Sequence, residues 1–240
     1  MTKSIVQAEP AQKSRNARRP GLIVTIDGPA GAGKSTVARL LATRLKYLYL
    51  DTGALYRAVA WKVRAAGISP TDSRAVADLL PSTRIAMEQN PDRPLMYVDL
   101  RDVTEEIRTP EISRLASLIS AIPAVREWLL PIQRQIGESG GVVAEGRDLG
   151  TRVFPKADVK FFLEADTEVR AGRRHREMTA SGQAAPLEDT RQAIMSRDRQ
   201  DRTRELAPLV PAPDSTVIDT STLEVEQVVD RMLAIVATKL

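Results

Sequence analysis

Short apolar runs alternate along this chain with stretches whose apolar residues recur every three or four positions. That alternation predicts an α/β fold with a largely parallel sheet. Leu22-Ile23-Val24-Thr25-Ile26 is a continuous β-prone run that stops at Asp27-Gly28. Residues 37–48 then have helical spacing, with Leu40, Leu41 and Leu45 on one side. Leu48-Tyr49-Leu50-Asp51 predicts a second strand, and residues 52–66 a helix closed by Gly67. Further strands are expected at 142–145, 159–163 and 216–219, and helices at 111–121 and 124–136, with Pro123 at the break. A last amphipathic helix places Val225, Val228, Val229, Met232 and Val236 along one face. Residues 68–109 depart from this rhythm. Residues 83–87 and 95–100 are β-prone and are expected to pair across the Asn90-Pro91-Asp92-Arg93-Pro94 turn, as a small insertion outside the main sheet.

Composition narrows the chemistry. The 240 residues include one histidine and no cysteine. Disulfides, thiol nucleophiles, two-histidine metal sites and the usual structural zinc sites are therefore excluded. His175, the sole imidazole, is read as a solvated residue rather than a catalyst. No apolar run approaches the ~18 residues of a membrane span, and no apolar core of a secretory signal is seen near the start. The formal net charge is +4, from 35 Lys+Arg against 31 Asp+Glu. Residues 1–20 hold Lys3, Lys13, Arg15, Arg18 and Arg19 against Glu9 alone, which accounts for the whole excess and leaves 30 of each sign elsewhere. The expectation is a disordered basic tail over 1–20 and one domain over 21–240, with no nucleic-acid partner.

One motif is specific. Gly28-Pro29-Ala30-Gly31-Ala32-Gly33-Lys34-Ser35 fits G-x-x-x-x-G-K-[ST] at every position, between a predicted buried strand and a predicted helix. A loop that wraps phosphates turns its N–H groups inward, which glycine tolerates best, and the helix start adds partial positive charge. Lys34 supplies a mobile full charge, and Ser35 a hydroxyl that Mg²⁺ can take. The loop says nucleoside triphosphate without saying what becomes of it. Asn16 and Asn90, the only asparagines, begin no N-K-x-D motif, which argues against a GTPase switch.

Three further polar segments suit a second, anionic substrate. Residues 51–57 (DTGALYR) and 145–150 (EGRDLG) follow strands at the end where the phosphate loop also lies. Arg197, Asp201 and Arg204 stand at i, i+4 and i+7, so a continuous helix would align them. Asp27 and Glu145 each end a strand near the phosphates, and either could organise Mg²⁺-bound water. Arg170, Arg173 and Arg174 would share a helical face within 166–190, which reads as a lid closing over ATP.

Gly28–Thr36 (GPAGAGKST), 51–57 (DTGALYR), 106–109 (EIRT), 144–150 (AEGRDLG) with Thr151, and 207–211 (APLVP) together resemble bacterial cytidylate kinases from about residue 21 onward. The resemblance implies a three-layer P-loop fold with a five-stranded, mainly parallel sheet, an acceptor-binding lobe at 68–109 and a helical lid at 166–190. It implies transfer of the ATP γ-phosphoryl group to CMP or dCMP, with Mg²⁺. No obvious apolar stripe is left over, so a monomer is expected, in the cytoplasm. ATP would be held by Gly28, Pro29, Ala30, Gly31, Ala32, Gly33, Lys34, Ser35 and Thr36, with Arg170 and Arg174 from the lid. Thr52, Tyr56 and Arg57 would hold the acceptor, Thr104, Arg108 and Asp148 the cytosine edge, and Arg197 with Asp201 the sugar. Arg147 and Arg204 would join Lys34 on the transferring phosphates. Nucleoside monophosphate kinases often carry glycine after the loop lysine, whereas Ser35 and Thr36 here offer two hydroxyls to Mg²⁺. Remaining alternatives are a kinase for another acceptor, such as UMP or a small metabolite, and a non-catalytic ATP-gated module.

Overall fold

The computed structural model describes residues 5–6, 21–88, 90, 94–180, 182–183 and 185–240. The expected turn at 91–93 and most of the tail lie outside them. The chain divides into two compact units, one of residues 21–50 and 140–240, the other of residues 51–139 with the described part of 1–20.

The larger unit is a parallel sheet flanked by helices, as the alternating pattern predicts. The strand order is β3-β7-β2-β8-β9, with β2 Ile23–Asp27 in the middle, β3 Leu48–Asp51, β7 Val142–Glu145, β8 Val159–Glu164 and β9 Thr216–Asp219. β2 runs parallel to both neighbours, pairing Ile26 with Glu145 on one side and with Phe161 on the other. A central strand is buried on both faces, which is why β2 and β7 read as unbroken apolar runs rather than alternating ones. Helix α1 Lys34–Leu45 packs Val37 and Leu41 into a core that also takes Val24, Ile26, Val143, Phe161 and Leu163 from the sheet. Val228, Met232 and Val236 of the helix Val225–Ala237 close the same core. α1 starts three residues before the predicted 37 and stops at Leu45. Lys46 turns left-handed there (φ 56°), and Tyr47 N–H donates to Ala42 O at 2.9 Å, freeing Leu48 to begin β3.

The smaller unit contains α2 Thr52–Ala65, α3 Ser73–Leu79, α4 Pro110–Ile119 and α5 Pro123–Gly137. It also carries an antiparallel sheet ordered β1-β4-β5-β6, with β1 Ile5–Val6, β4 Ile85–Glu88, β5 Leu95–Val98 and β6 Arg101–Asp102. The expected hairpin is present, Ile85 facing Val98 and Met87 facing Met96. Two residues of the basic segment, Ile5–Val6, pair with the free edge of β4. α6 Thr167–Ala180 and α7 Leu187–Thr203 complete the larger unit. Among the described residues, no single helix is long and apolar enough to cross a membrane.

Candidate active site

The phosphate loop leaves β2 through Gly28, whose φ of 146° and 2.2 Å clearance to Leu163 O for an added Cβ exclude any side chain. It enters α1 through Gly33, left-handed at φ 84°, with no side-chain cap on the helix. The first-turn N–H groups of α1 are thus available to an anion. Lys34 is buried and donates from Nζ to Pro29 O at 2.7 Å, which curls it over the loop it belongs to. Burial lowers its pKa, and the nearby Arg147 guanidinium lowers it further against the pull of Glu145. A lysine so placed gains strongly when phosphate charge arrives.

The structure separates the two strand-end carboxylates. Both oxygens of Asp27 are engaged inside the protein, accepting from Leu149 N–H at 2.9 Å and Gly150 N–H at 2.8 Å. Asp27 thereby pins the turn after Arg147-Asp148. Burial pushes its pKa up to about 6, although the two N–H groups act to lower it. Glu145 instead accepts from Ser35 Oγ at 2.9 Å and from the Tyr49 hydroxyl. Ser35, rather than Thr36, is therefore the loop hydroxyl that shares a hydrogen bond with a buried carboxylate. Hydroxyl and carboxylate oxygens are donors suited to Mg²⁺, which keeps most of its waters and takes its remaining ligands from phosphate. Among the described residues, no group of three or more carboxylate or imidazole side chains is arranged to hold a metal ion.

Arg147, Asp201 and Arg204 meet. Arg147 Nε donates to Asp201 Oδ2 at 3.0 Å, and Arg204 lies 3.3 Å from Oδ1 of the same carboxylate. Burial acts to raise the Asp201 pKa, but the combined charges of Arg147, Arg197 and Arg204 prevail and hold it below the usual carboxylate range. Arg197 also lies within electrostatic reach of Lys34. The helical alignment expected of Arg197, Asp201 and Arg204 fails at its last member. α7 stops at Thr203, and Arg204 is extended (ψ 139°). The segment after it folds back, so that Arg204 Nε donates to Ala207 O at 2.7 Å and Leu209 N–H to Asp201 O at 2.8 Å. Arg204 is aimed by this return loop, not by helix spacing.

The lid arginines differ from expectation as well. Arg170 is buried, only 5% exposed, and bonds to Ala30 O, Ala165 O, Thr167 and Asp198. Arg173 is tied to Thr220, and only Arg174, paired with Glu177 at 3.2 Å, carries its charge on a partly open face. His175, expected in solvent, is half-buried with its Nδ1 shielded and lacking a hydrogen-bond partner. Ser181 and Ala184 of the expected lid lie outside the described residues.

In the smaller unit, Asp51 caps α2 by accepting from Ala54 N–H at 3.0 Å and binds Arg57 at 2.7 Å. Burial works to raise the Asp51 pKa, yet Arg57, the Ala54 N–H and Arg108 together hold it low. Thr52 is buried beside it. Thr104 is buried too, and its Oγ1 accepts from Met96 N–H at 2.8 Å, which leaves the hydroxyl hydrogen to give. Arg108 is exposed on the short turn Glu106–Arg108. The sequence reading missed several buried polar side chains here, among them Ser117 on α4 and Arg126 and Gln133 on α5. Arg126 is 3% exposed, and its guanidinium lies 5.6 Å from the centre of the Tyr56 ring. The signal was present, since Arg126 stands three and seven residues before Leu129 and Gln133 on the buried face of α5.

A family model described as cytidylate kinase matches residues 24–238. Cytidylate kinase of Geobacter sulfurreducens is 50% identical over 220 residues, covering 92% of this chain and 94% of that protein. Cytidylate kinase of Citrifermentans bemidjiense is 47% identical and covers 93% of this chain and 96% of its own length. Among solved structures, an uncharacterized protein of Eubacterium ventriosum superposes with a TM-score of 0.51 at 12% identity, over 90% of this chain and 98% of that one. This last likeness concerns the fold alone.

Proposed function

The chain belongs to the cytidylate kinase family, and on that premise we propose that it transfers the γ-phosphoryl group of ATP to CMP or dCMP, giving ADP and CDP or dCDP. The observation that carries the chemistry is the Asp201 carboxylate, which holds Arg147 and Arg204 on its two oxygens.

An acceptor phosphate oxygen is already ionised at neutral pH, so no general base has to act, which agrees with a chain that has one histidine. An acceptor oxygen forms a bond to the γ-phosphorus as the bond to the β,γ-bridging oxygen breaks, and ADP carries that electron pair away. The protein's share is to place two polyanions in line and to neutralise charge as it moves. Lys34 and the N–H groups of the loop 28–36, apart from that of Ala30, hold the donor phosphates, and Arg147 and Arg204 reach the transferring group. Guanidinium forks match phosphate oxygens, and Asp201 keeps both forks oriented before substrate arrives. Ser35 would hold Mg²⁺, with Glu145 orienting a water of its shell. The ion supplies further neutralisation of the donor phosphates when bound.

Arg57, released from Asp51, takes the acceptor phosphate, while Thr52 and Tyr56 support the nucleotide. Arg197 and Asp201 serve the sugar, and Thr104, Arg108 and Asp148 the cytosine edge. Arg126, desolvated against Tyr56, joins the base-side group. Arg174 is the lid arginine best placed to meet ATP directly.

The test is a coupled assay with ATP and each of CMP, dCMP, UMP, AMP and GMP. Rapid ADP formation with CMP or dCMP is expected, with little from AMP and GMP. Faster turnover of UMP would reassign the acceptor, and no turnover with any monophosphate would overturn the reading.

A further inference from the structure

The inner side of a phosphate loop attracts most interest because its N–H groups meet the ligand. Its outer side must also be held, since each N–H turned inward leaves carbonyls facing out. Here the outer carbonyls are gripped from α6. Arg170 Nη1 donates to Ala30 O at 3.0 Å and to the Asp198 carboxylate, and the other Asp198 oxygen lies 3.4 Å from Ala30 N. One buried ion pair, from two different helices, thus spans both backbone groups of Ala30. Ala32 O lies 3.3 Å from Thr220 Oγ1, a hydroxyl that also lies 3.0 Å from Glu164 O. Arg173, one turn on from Arg170, donates to Thr220 Oγ1 at 3.0 Å and to Thr220 O at 2.6 Å. Between these two carbonyls, Gly31 packs directly on α6, for an added Cβ would lie 2.9 Å from Arg170 O.

We propose that Arg170 with Asp198, and Arg173 through Thr220, are positioning residues that hold the carbonyls of Ala30 and Ala32 outward and so preset the loop N–H groups for phosphate. The inference rests on the reading of the loop as the seat of ATP. It assigns these side chains no contact with substrate. Asp198 and Thr220 then matter as much as the arginines, although neither belongs to the loop or to the acceptor group.

The experiment measures MgADP and CMP affinity by calorimetry on the full chain, wild type and variants. Asp198→Asn keeps shape and removes charge, and Thr220→Val keeps shape and removes the hydroxyl. Each is expected to weaken MgADP about 5- to 20-fold while CMP affinity stays within about twofold, the size expected from loss of one buried hydrogen-bond link. Arg170→Gln combined with Asp198→Asn is expected to cost no more than the worse single change, because the pair acts as a unit. Melting temperature is followed alongside. If Asp198→Asn fails to fold, Thr220→Val and Arg173→Gln carry the test. Unchanged MgADP affinity in folded variants, or equal losses for MgADP and CMP, would overturn the proposal. So would weakening by Arg170→Gln but not by Asp198→Asn or Thr220→Val, because Arg170 would then be touching the nucleotide. Absence of MgADP binding to wild type would instead sink the reading of the loop itself.

Discussion

At the scale of single residues, the least predictable feature was what each carboxylate faces. Asp27 and Glu145 occupy equivalent strand ends, and nothing in a linear pattern distinguishes them. The sheet does, because β2 and β7 are neighbours and the turn after β7 crosses over the end of β2. Asp27 is therefore sealed beneath Leu149 and Gly150, and its pKa rises from 3.8 to about 6 through burial. A buried acid with a raised pKa stabilises the fold below the unfolded value and loses that contribution as pH rises through the folded one. Between pH 4.5 and 7.5 the loss is about 2 kcal/mol at ~1.4 kcal/mol per pKa unit. Asp27→Asn cannot titrate. The margin by which wild type exceeds this variant in urea unfolding is thus expected to shrink by about 2 kcal/mol over that range. A constant margin would show that Asp27 does not titrate where its surroundings place it.

At the scale of elements, the strands of the larger sheet were legible to within a few residues, because periodicity reports burial and burial organises this fold, whereas α3 Ser73–Leu79 and β6 carry no such period. The side chains that depart from their element were not legible. Arg204 lies one residue past the end of α7, and the return that aims it through Ala207 O has a local signature in Pro208 and Pro211 that helical spacing alone does not weigh. Arg170 is expected on a lid face over ATP with Arg173 and Arg174, and only the approach of α6 to the loop buries it. Arg126 was absorbed into an amphipathic pattern that reads a charge on the apolar face as noise. For the acceptor base the contrast between Arg108 and Arg126 matters. Water screens the charge of an exposed guanidinium, whereas a desolvated one makes hydrogen bonds worth about 1.5–3 kcal/mol. Arg126→Met is therefore expected to lower kcat/KM for CMP roughly 10- to 150-fold, and Arg108→Met by clearly less. The reverse order in steady-state kinetics would return base recognition to the 106–108 turn.

At the scale of the whole molecule, charge and catalysis are separable. The basic excess sits in residues 1–20, while the remaining 220 residues balance at 30 charges of each sign. All the side chains proposed to touch either nucleotide lie between Gly28 and Arg204. The only described link from the first twenty residues is the pairing of Ile5–Val6 with Met87 and Glu88 at the edge of β4. An edge strand of two residues contributes about 1 kcal/mol of hydrogen bonding, and a change of that size shifts melting by about 2–4 °C in a chain of this length. Removal of residues 1–20 is accordingly expected to leave kcat and both KM values within about twofold, because none of the side chains proposed to bind phosphate is lost. The melting temperature should fall by no more than those few degrees. The truncated chain, now without net charge, should elute from a cation exchanger at much lower salt. A tenfold or greater fall in kcat/KM for CMP, with melting unchanged, would place part of this basic segment at the acceptor phosphate and break the separation between charge and catalysis.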